Sequence, residues 1–101
     1  MKVPKSDIIN SMTRTELWIL EILRNLTNHP DDLKIMRTTD DLGVLLTITS
    51  NPLDAGLVIG RNGDVIHSIR VLARLMGKKD AERINIVYQD PQGAYQKAKQ
   101  I

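Results

Sequence analysis

Apolar residues along this chain change their period several times, and each change marks an element. Thr13 and Glu16 stand at capping-box spacing just ahead of an apolar run. Ile19, Ile22, Leu23 and Leu26 then repeat at i, i+3, i+4 and i+7, which predicts one stripe of a helix. Asn28-His29-Pro30 ends it, because the residue before a proline avoids helical backbone. From Asp32 to Thr38 the period drops to two, with Leu33 and Ile35 on either side of Lys34, a strand pattern. Asp40-Asp41-Leu42-Gly43 reads as a turn. Val44 to Thr49 is a second strand, with Val44, Leu46 and Ile48 on one face and Leu45, Thr47 and Thr49 on the other. Asn51-Pro52 breaks it, and Asp54 to Ile59 has room for about one and a half helical turns.

Gly60-Arg61-Asn62-Gly63 follows, and Asp64 to Met76 is a helix. Its predicted stripe is Val65, Ile69, Leu72 and Met76, flanked by Ile66 and Ala73, with Ile69, Leu72 and Met76 assigned to the core. Gly77 stands where a C-terminal stop belongs, beside Lys78 and Lys79. Arg83 to Tyr88 is the last strand, with Ile84, Ile86 and Tyr88 on one face. A turn at Asp90-Pro91-Gln92-Gly93 leads to a polar, basic tail.

The order is helix, strand, strand, helix, helix, strand. Two strands joined through two helices should lie parallel and adjacent, by a right-handed crossover. The first two strands pair antiparallel across their short turn. The expected fold is therefore α+β, a three-stranded mixed sheet with its helices on one face. Residues 13–90 form one domain on this reading, with a loose arm over 1–12 and a tail over 91–101.

Composition narrows the chemistry. The chain has 101 residues, no cysteine and two widely separated histidines, so disulfides, thiolate sites and zinc are not expected. No apolar run approaches the roughly 20 residues that span a bilayer, and no secretory h-region is visible near the start. A cytoplasmic location is expected by default. No acid–base pair or nucleophile constellation is visible, so no enzyme and no cofactor is expected. The net charge is +2, but it is unevenly spread: residues 31–60 carry −3 and residues 61–101 carry +4. A polyanion site is therefore expected in the C-terminal half. Aromatics are 3% of the chain, which argues against binding modes that stack bases on rings.

The positive segment opens inside the loop 60–63. So tight a join between helices needs positions without a Cβ. The helix that follows begins with backbone N–H groups that lack internal partners, and with the positive end of its dipole. That is an anion site, to which Arg61 adds a charge and Asn62 an amide. Four residues of this kind also describe a plain helical corner. The flanks change the odds: Val58-Ile59-Gly60-x-x-Gly63-x-x-Ile66-x-x-Ile69 sets apolar residues at fixed offsets on both sides.

That string resembles the KH domain, whose G-x-x-G loop clamps single-stranded nucleic acid. The element order resembles the type II form. LEILRNLTNHPDDLKI, VLLTITSNPLDAGLVIGRNGDVIHSIRVLARLMG and RINIVYQD together resemble the small bacterial KhpA family of stand-alone KH proteins, over about residues 13–90. The resemblance implies an RNA-binding chaperone or regulator. It also implies a homodimer, and pairing with a larger KH protein of the KhpB type. It sets the loop Thr39 to Gly43 beside the groove, where Asp40 and Asp41 would repel phosphate.

The RNA-binding residues expected on this basis are Gly60, Arg61, Asn62 and Gly63, with Val58, Ile59, Asp64, Ile66, His67 and Arg70. Val58, Ile59 and Ile66 are candidates for an aliphatic groove, or simply for the core. His67, Arg70, Arg74 and Lys78 share a helix face, either a phosphate track or a solvated surface. Asp64 suits the first turn of its helix. Trp18 is either core or a dimer contact. The competing reading is a KH-fold dimerisation subunit with little RNA binding of its own.

Overall fold

The computed structural model describes residues 13–89. The expected arm 1–12 and the tail from Asp90 onward lie outside the described residues. Helix α1 runs Arg14–Leu26. The capping box forms as expected: Thr13 Oγ1 accepts from the Glu16 N–H, and Glu16 accepts from the Thr13 N–H. A 3-10 turn over Pro30–Asp32 absorbs Asp32, so strand β1 runs Lys34–Asp40, two residues later than the pattern predicts. Asp41 and Leu42 make the tight turn, where the Leu42 N–H donates to Asp40 Oδ1 at 2.8 Å. Strand β2 runs Gly43–Thr49 and pairs antiparallel with β1. A second 3-10 turn, Pro52–Asp54, leads into helix α2, Ala55–Ile59. Helix α3, Asp64–Lys79, and strand β3, Ile84–Tyr88, complete the elements of the described residues. The sheet order is β1-β2-β3, with β3 parallel to β2.

The strand faces divide as the alternation predicts. Val44, Leu46 and Ile48 of β2 and Ile84, Ile86 and Tyr88 of β3 are buried under the helices. Ile19 and Leu23 of α1, Val58 and Ile59 of α2, and Ile66, Ile69 and Ala73 of α3 close the core from above. Leu45 and Val87 face the open side of the sheet.

Three expectations fail, for one physical reason. Helix α3 lies so close to the start of β3 that only small residues fit between them. Its buried line is Ile66, Ile69, Ala73 and Gly77. Leu72 is left 46% exposed and Met76 only partly covered, so neither belongs to the core as assigned. Gly77 is not the stop. It lies inside the helix, where a Cβ would sit 2.7 Å from the Glu82 carbonyl oxygen and 2.8 Å from Ile84 Cδ1. The helix ends two residues later, at Lys79. The Glu82 N–H donates to Gly77 O and the Ala81 N–H to Lys78 O, with Ala81 left-handed at φ 60°. That is a Schellman motif built on alanine. Leu26, at the end of the α1 stripe, is likewise 44% exposed.

A polar network ties the far ends together. Arg37 of β1 donates to Glu16 Oε2 at 2.8 Å and to Glu82. Glu16 is almost fully buried at the head of α1, so Arg37 supplies the charge that its burial demands. The Glu16 hydrogen bond, ahead of the cost of burial, raises the Arg37 pKa above the ordinary arginine value.

Candidate nucleic-acid interface

The join between α2 and α3 occupies four residues, and three of them have positive φ: Gly60 at 85°, Asn62 at 55° and Gly63 at 77°. Asparagine is among the few side chains that tolerate this region. Arg61 keeps ordinary backbone angles and is exposed, as is Asn62. Gly60 is required twice over, because a Cβ there would meet Asp64 Oδ1 at 2.2 Å and the Val65 nitrogen at 2.6 Å. Gly63 caps α3 with no side-chain hydrogen bond, and open space surrounds it.

The loop is held by Gly60 N–H to Gly56 O, Gly63 N–H to Gly60 O and Asp64 N–H to Arg61 O. Among the described residues, no acceptor faces the N–H groups of Arg61 and Asn62. The segment thus presents two backbone donors, a guanidinium, an amide and the positive end of a helix of 16 residues. Asp64 is exposed and its carboxylate lies over Gly60.

Beneath the loop stand Val58, Ile59 and Ile66, at 0%, 4% and 1% exposure. Of the two readings open to them, the packing matches the core. They fix the angle at which α2 and α3 leave the loop, and offer no surface of their own.

A groove runs from there between α3 and β3. Arg70, Arg74, Ile84, Asn85, Ile86 and Val87 line one part, and Arg74, Lys78, Arg83 and Asn85 continue it toward the far end. Three residues of the expected basic face, Arg70, Arg74 and Lys78, therefore come together with β3. His67 is exposed and lines neither part. Arg70 is half-buried and donates its Nε–H to the Ile86 carbonyl at 3.0 Å. Alternation along β3 was the available signal for Asn85 and Val87. Nothing in the sequence announces the Arg70 contact.

The acidic turn adjoins the far end of this groove, at Arg83, and not the Gly60–Gly63 loop. Gly43 lies against Arg83, at the end of the sheet where β3 starts and α3 finishes. The loop is at the opposite end of α3, about 24 Å along its axis. Repulsion over that span is screened by physiological salt.

Asp54 is a structural anchor of the loop's helix that the pattern missed. It is fully buried at the entrance to α2 and accepts from the His29 N–H at 2.8 Å and the Asn28 N–H at 3.3 Å. His29 Nδ1 lies 3.3 Å from the same carboxylate. Burial pushes the Asp54 pKa up, but the two backbone donors and the His29 ring outweigh it and hold the group below the ordinary aspartate value. The carboxylate pins the α1–β1 connection to the helix that carries the loop.

Comparison with known proteins points the same way. The family model described as KhpA/KhpB, KH domain, matches residues 16–87. The RNA-binding protein KhpA of Lactiplantibacillus plantarum is 34% identical over 83 residues, 80% of this chain and 95% of that protein. The RNA-binding protein KhpA of Thermotoga maritima is 32% identical over 68 residues, 66% of this chain and 91% of that protein. The RNA-binding protein KhpA of Leifsonia xyli is 28% identical over 69 residues, 68% of this chain and 91% of that protein. No solved structure matches the chain.

Proposed function

The chain belongs to the KhpA/KhpB KH-domain family, and from that premise we propose that it binds single-stranded RNA. One observation carries the reading: the Gly60–Gly63 loop turns two unengaged N–H groups outward at the head of α3. A phosphate seated there meets backbone donors, the helix dipole and Arg61, and no side chain at positions 60 or 63 stands in its way. Asn62 adds an amide, and exposed His67 meets the strand one turn further on. The groove along β3 takes about four bases. Val58, Ile59 and Ile66 act from behind, by holding the loop at its angle, and Asp64 by bracing Gly60. Few side chains face the bases, so selectivity is modest. Two to four neutralised phosphates correspond to a salt slope of about −1.5 to −3 on a log–log plot.

The protein acts in the cytoplasm as a chaperone or regulator of RNA and not as an enzyme. Support for this comes from the relatives' name, RNA-binding protein KhpA. Among the described residues no helix is long and apolar enough to cross a membrane. It works as a homodimer and pairs with a KhpB-type protein. The supporting feature is an apolar groove between α1 and α3, lined by Trp18, Ile22, Leu26, Val65 and Leu72. Leu72→Asp should halve the mass measured by light scattering, and an unchanged mass refutes this surface.

The deciding experiment is Arg61→Asp combined with Asn62→Asp. Arg61 has ordinary φ and aspartate tolerates the left-handed region, so the fold survives. Affinity for short single-stranded RNA should fall at least about tenfold at low salt, with circular dichroism unchanged. Unchanged affinity refutes the loop as the clamp. A wild type that dimerises and binds no RNA establishes the rival, a dimerisation subunit.

A further inference from the structure

Among the described residues, strand β3 is one of the two edges of the sheet. Its pairing with β2 fixes which of its backbone groups are engaged. Arg83 O accepts from the Val44 N–H, and the Gln89 N–H donates to Ile48 O. In a parallel register, alternate residues face the partner, so Asn85 and Val87 also turn toward β2. Ile84 and Ile86 turn their N–H and C=O groups outward, into the groove against α3. At the middle of that edge one group is already taken, because Arg70 Nε–H donates to the Ile86 carbonyl at 3.0 Å.

A guanidinium has five N–H donors and no acceptor. One of the five is spent on Ile86, and among the described residues the others have no acceptor. The Ile86 carbonyl keeps a second lone pair, but with the first engaged, donors outnumber acceptors at this point of the groove: the Ile86 N–H and the free fork of Arg70. A bare strand edge would present a donor beside an acceptor.

We propose that Arg70 sets base preference here, by masking the strand's central acceptor so that a base with two neighbouring acceptors is favoured. The inference rests on the RNA-binding reading above. Cytosine has such an edge at N3 and O2, and guanine at N7 and O6. Adenine alternates, with its N6 amine beside N1 or N7. Uracil alternates too, with N3–H between O2 and O4. An alternating edge turned to this site sets an N–H against the guanidinium, and that donor is desolvated without a partner. Arginine spanning two acceptors of guanine is the commonest specific base contact known in DNA grooves, and the same fork is available here. Arg70 is on this account a reader of base edges, and phosphate contact falls to Arg61.

The test is fluorescence anisotropy of the full chain with octanucleotides of cytidine, uridine and adenosine. The wild type should bind the cytidine oligomer about tenfold tighter than the other two. Arg70→Met keeps the length and uncovers the carbonyl, so the ratio should fall to within about twofold. The double aspartate variant of the loop should weaken all three equally and leave the ratio unchanged. A wild type without preference overturns the proposal, as does an Arg70→Met variant that weakens all three by one factor. If the wild type binds none of them, the RNA-binding reading itself fails, and this inference with it. A measurement on the wild type removes dependence on the variant's folding. The NMR coupling across the hydrogen bond from Arg70 Nε to the Ile86 carbonyl should persist when the cytidine oligomer is bound. Its loss on binding overturns the proposal.

Discussion

Gly60→Ala and Gly63→Ala are the same change at the two ends of one loop, at φ of 85° and 77°. If φ alone mattered, the two losses would be equal. The structure makes them unequal. Gly63 is in the ordinary left-handed region, where a non-glycine residue costs about 1–2 kcal/mol. A Cβ there meets nothing within 4 Å, so no further cost arises. Gly60 combines its φ with ψ of 170°, a region that is essentially glycine's alone and costs about 1–3 kcal/mol. Its Cβ would also meet Asp64 Oδ1, Val65 Cγ2 and the Val65 nitrogen at 2.2, 2.5 and 2.6 Å. The carboxylate can swing away, but the backbone nitrogen cannot, and overpacking of this kind adds about 1–3 kcal/mol. Gly60→Ala should therefore lose about 2–6 kcal/mol in total. At typical stability per residue, a domain spanning 13–89 has roughly 4–12 kcal/mol to lose. Urea denaturation decides the matter, read as a shift in midpoint at constant slope. Thermal midpoints should fall by about 5–15 °C for Gly63→Ala and by more than that for Gly60→Ala. Equal losses, or a larger one at Gly63, refute the reasoning.

Other sites give equally definite expectations. Arg37→Met strands the buried Glu16 carboxylate and should cost about 2–4 kcal/mol, below a fully buried pair because Arg37 keeps a quarter of its side chain in water. Glu16→Gln, which keeps the capping box and removes the charge, should cost less, and urea midpoints rank the two. The raised Arg37 pKa leaves its own contribution intact until pH passes the arginine range, so stability near neutrality should not vary on its account. Asp54 behaves in the opposite sense. Its pKa is held low in the folded state, so its contribution is complete above the ordinary aspartate value and is lost as pH falls through the folded one. Thermal midpoints of the wild type should drop below about pH 4, and Asp54→Asn should flatten that drop. Ala81→Gly relieves left-handed alanine at the end of α3 and should raise the midpoint by a few degrees, whereas a fall would mean that φ 60° costs nothing there.

The two residues flanking the loop show what the sequence could and could not disclose. Gly60 and Gly63 were legible, since a four-residue join between helices leaves glycine little competition. Asp54 was not, although it is the carboxylate that anchors the loop's own helix. Its partners are backbone N–H groups of Asn28 and His29, more than twenty residues away, and backbone donors carry no sequence signal. Gly77 misled for a similar reason. Glycine near the end of an apolar stripe usually stops a helix, but here it admits the Glu82 carbonyl and Ile84, a contact visible only once β3 is in place. The register of α3 moved with it. Ala73 and Gly77 face the sheet because they are small, so the larger Leu72 is turned away.

That displacement makes α3 a helix with three faces in use. With about 100° per residue, Arg70 and Arg74 fall about 40–80° to one side of Ile66, and Val65 and Leu72 about 100–120° to the other. The core line separates them. The cationic groove along β3 and the apolar groove against α1 thus open on opposite flanks of a single rod. A partner copy seated on Leu72 and Trp18 would leave Arg70 and the Gly60–Gly63 loop uncovered. Two such chains would then hold two loops on one assembly, and the second contact with a long RNA becomes intramolecular. Leu72→Asp should accordingly leave affinity for an octanucleotide unchanged and weaken affinity for an RNA long enough to span both loops. Equal weakening for the two lengths would mean that the apolar flank supports the RNA site directly, and the separation of faces argued from the helix would be wrong.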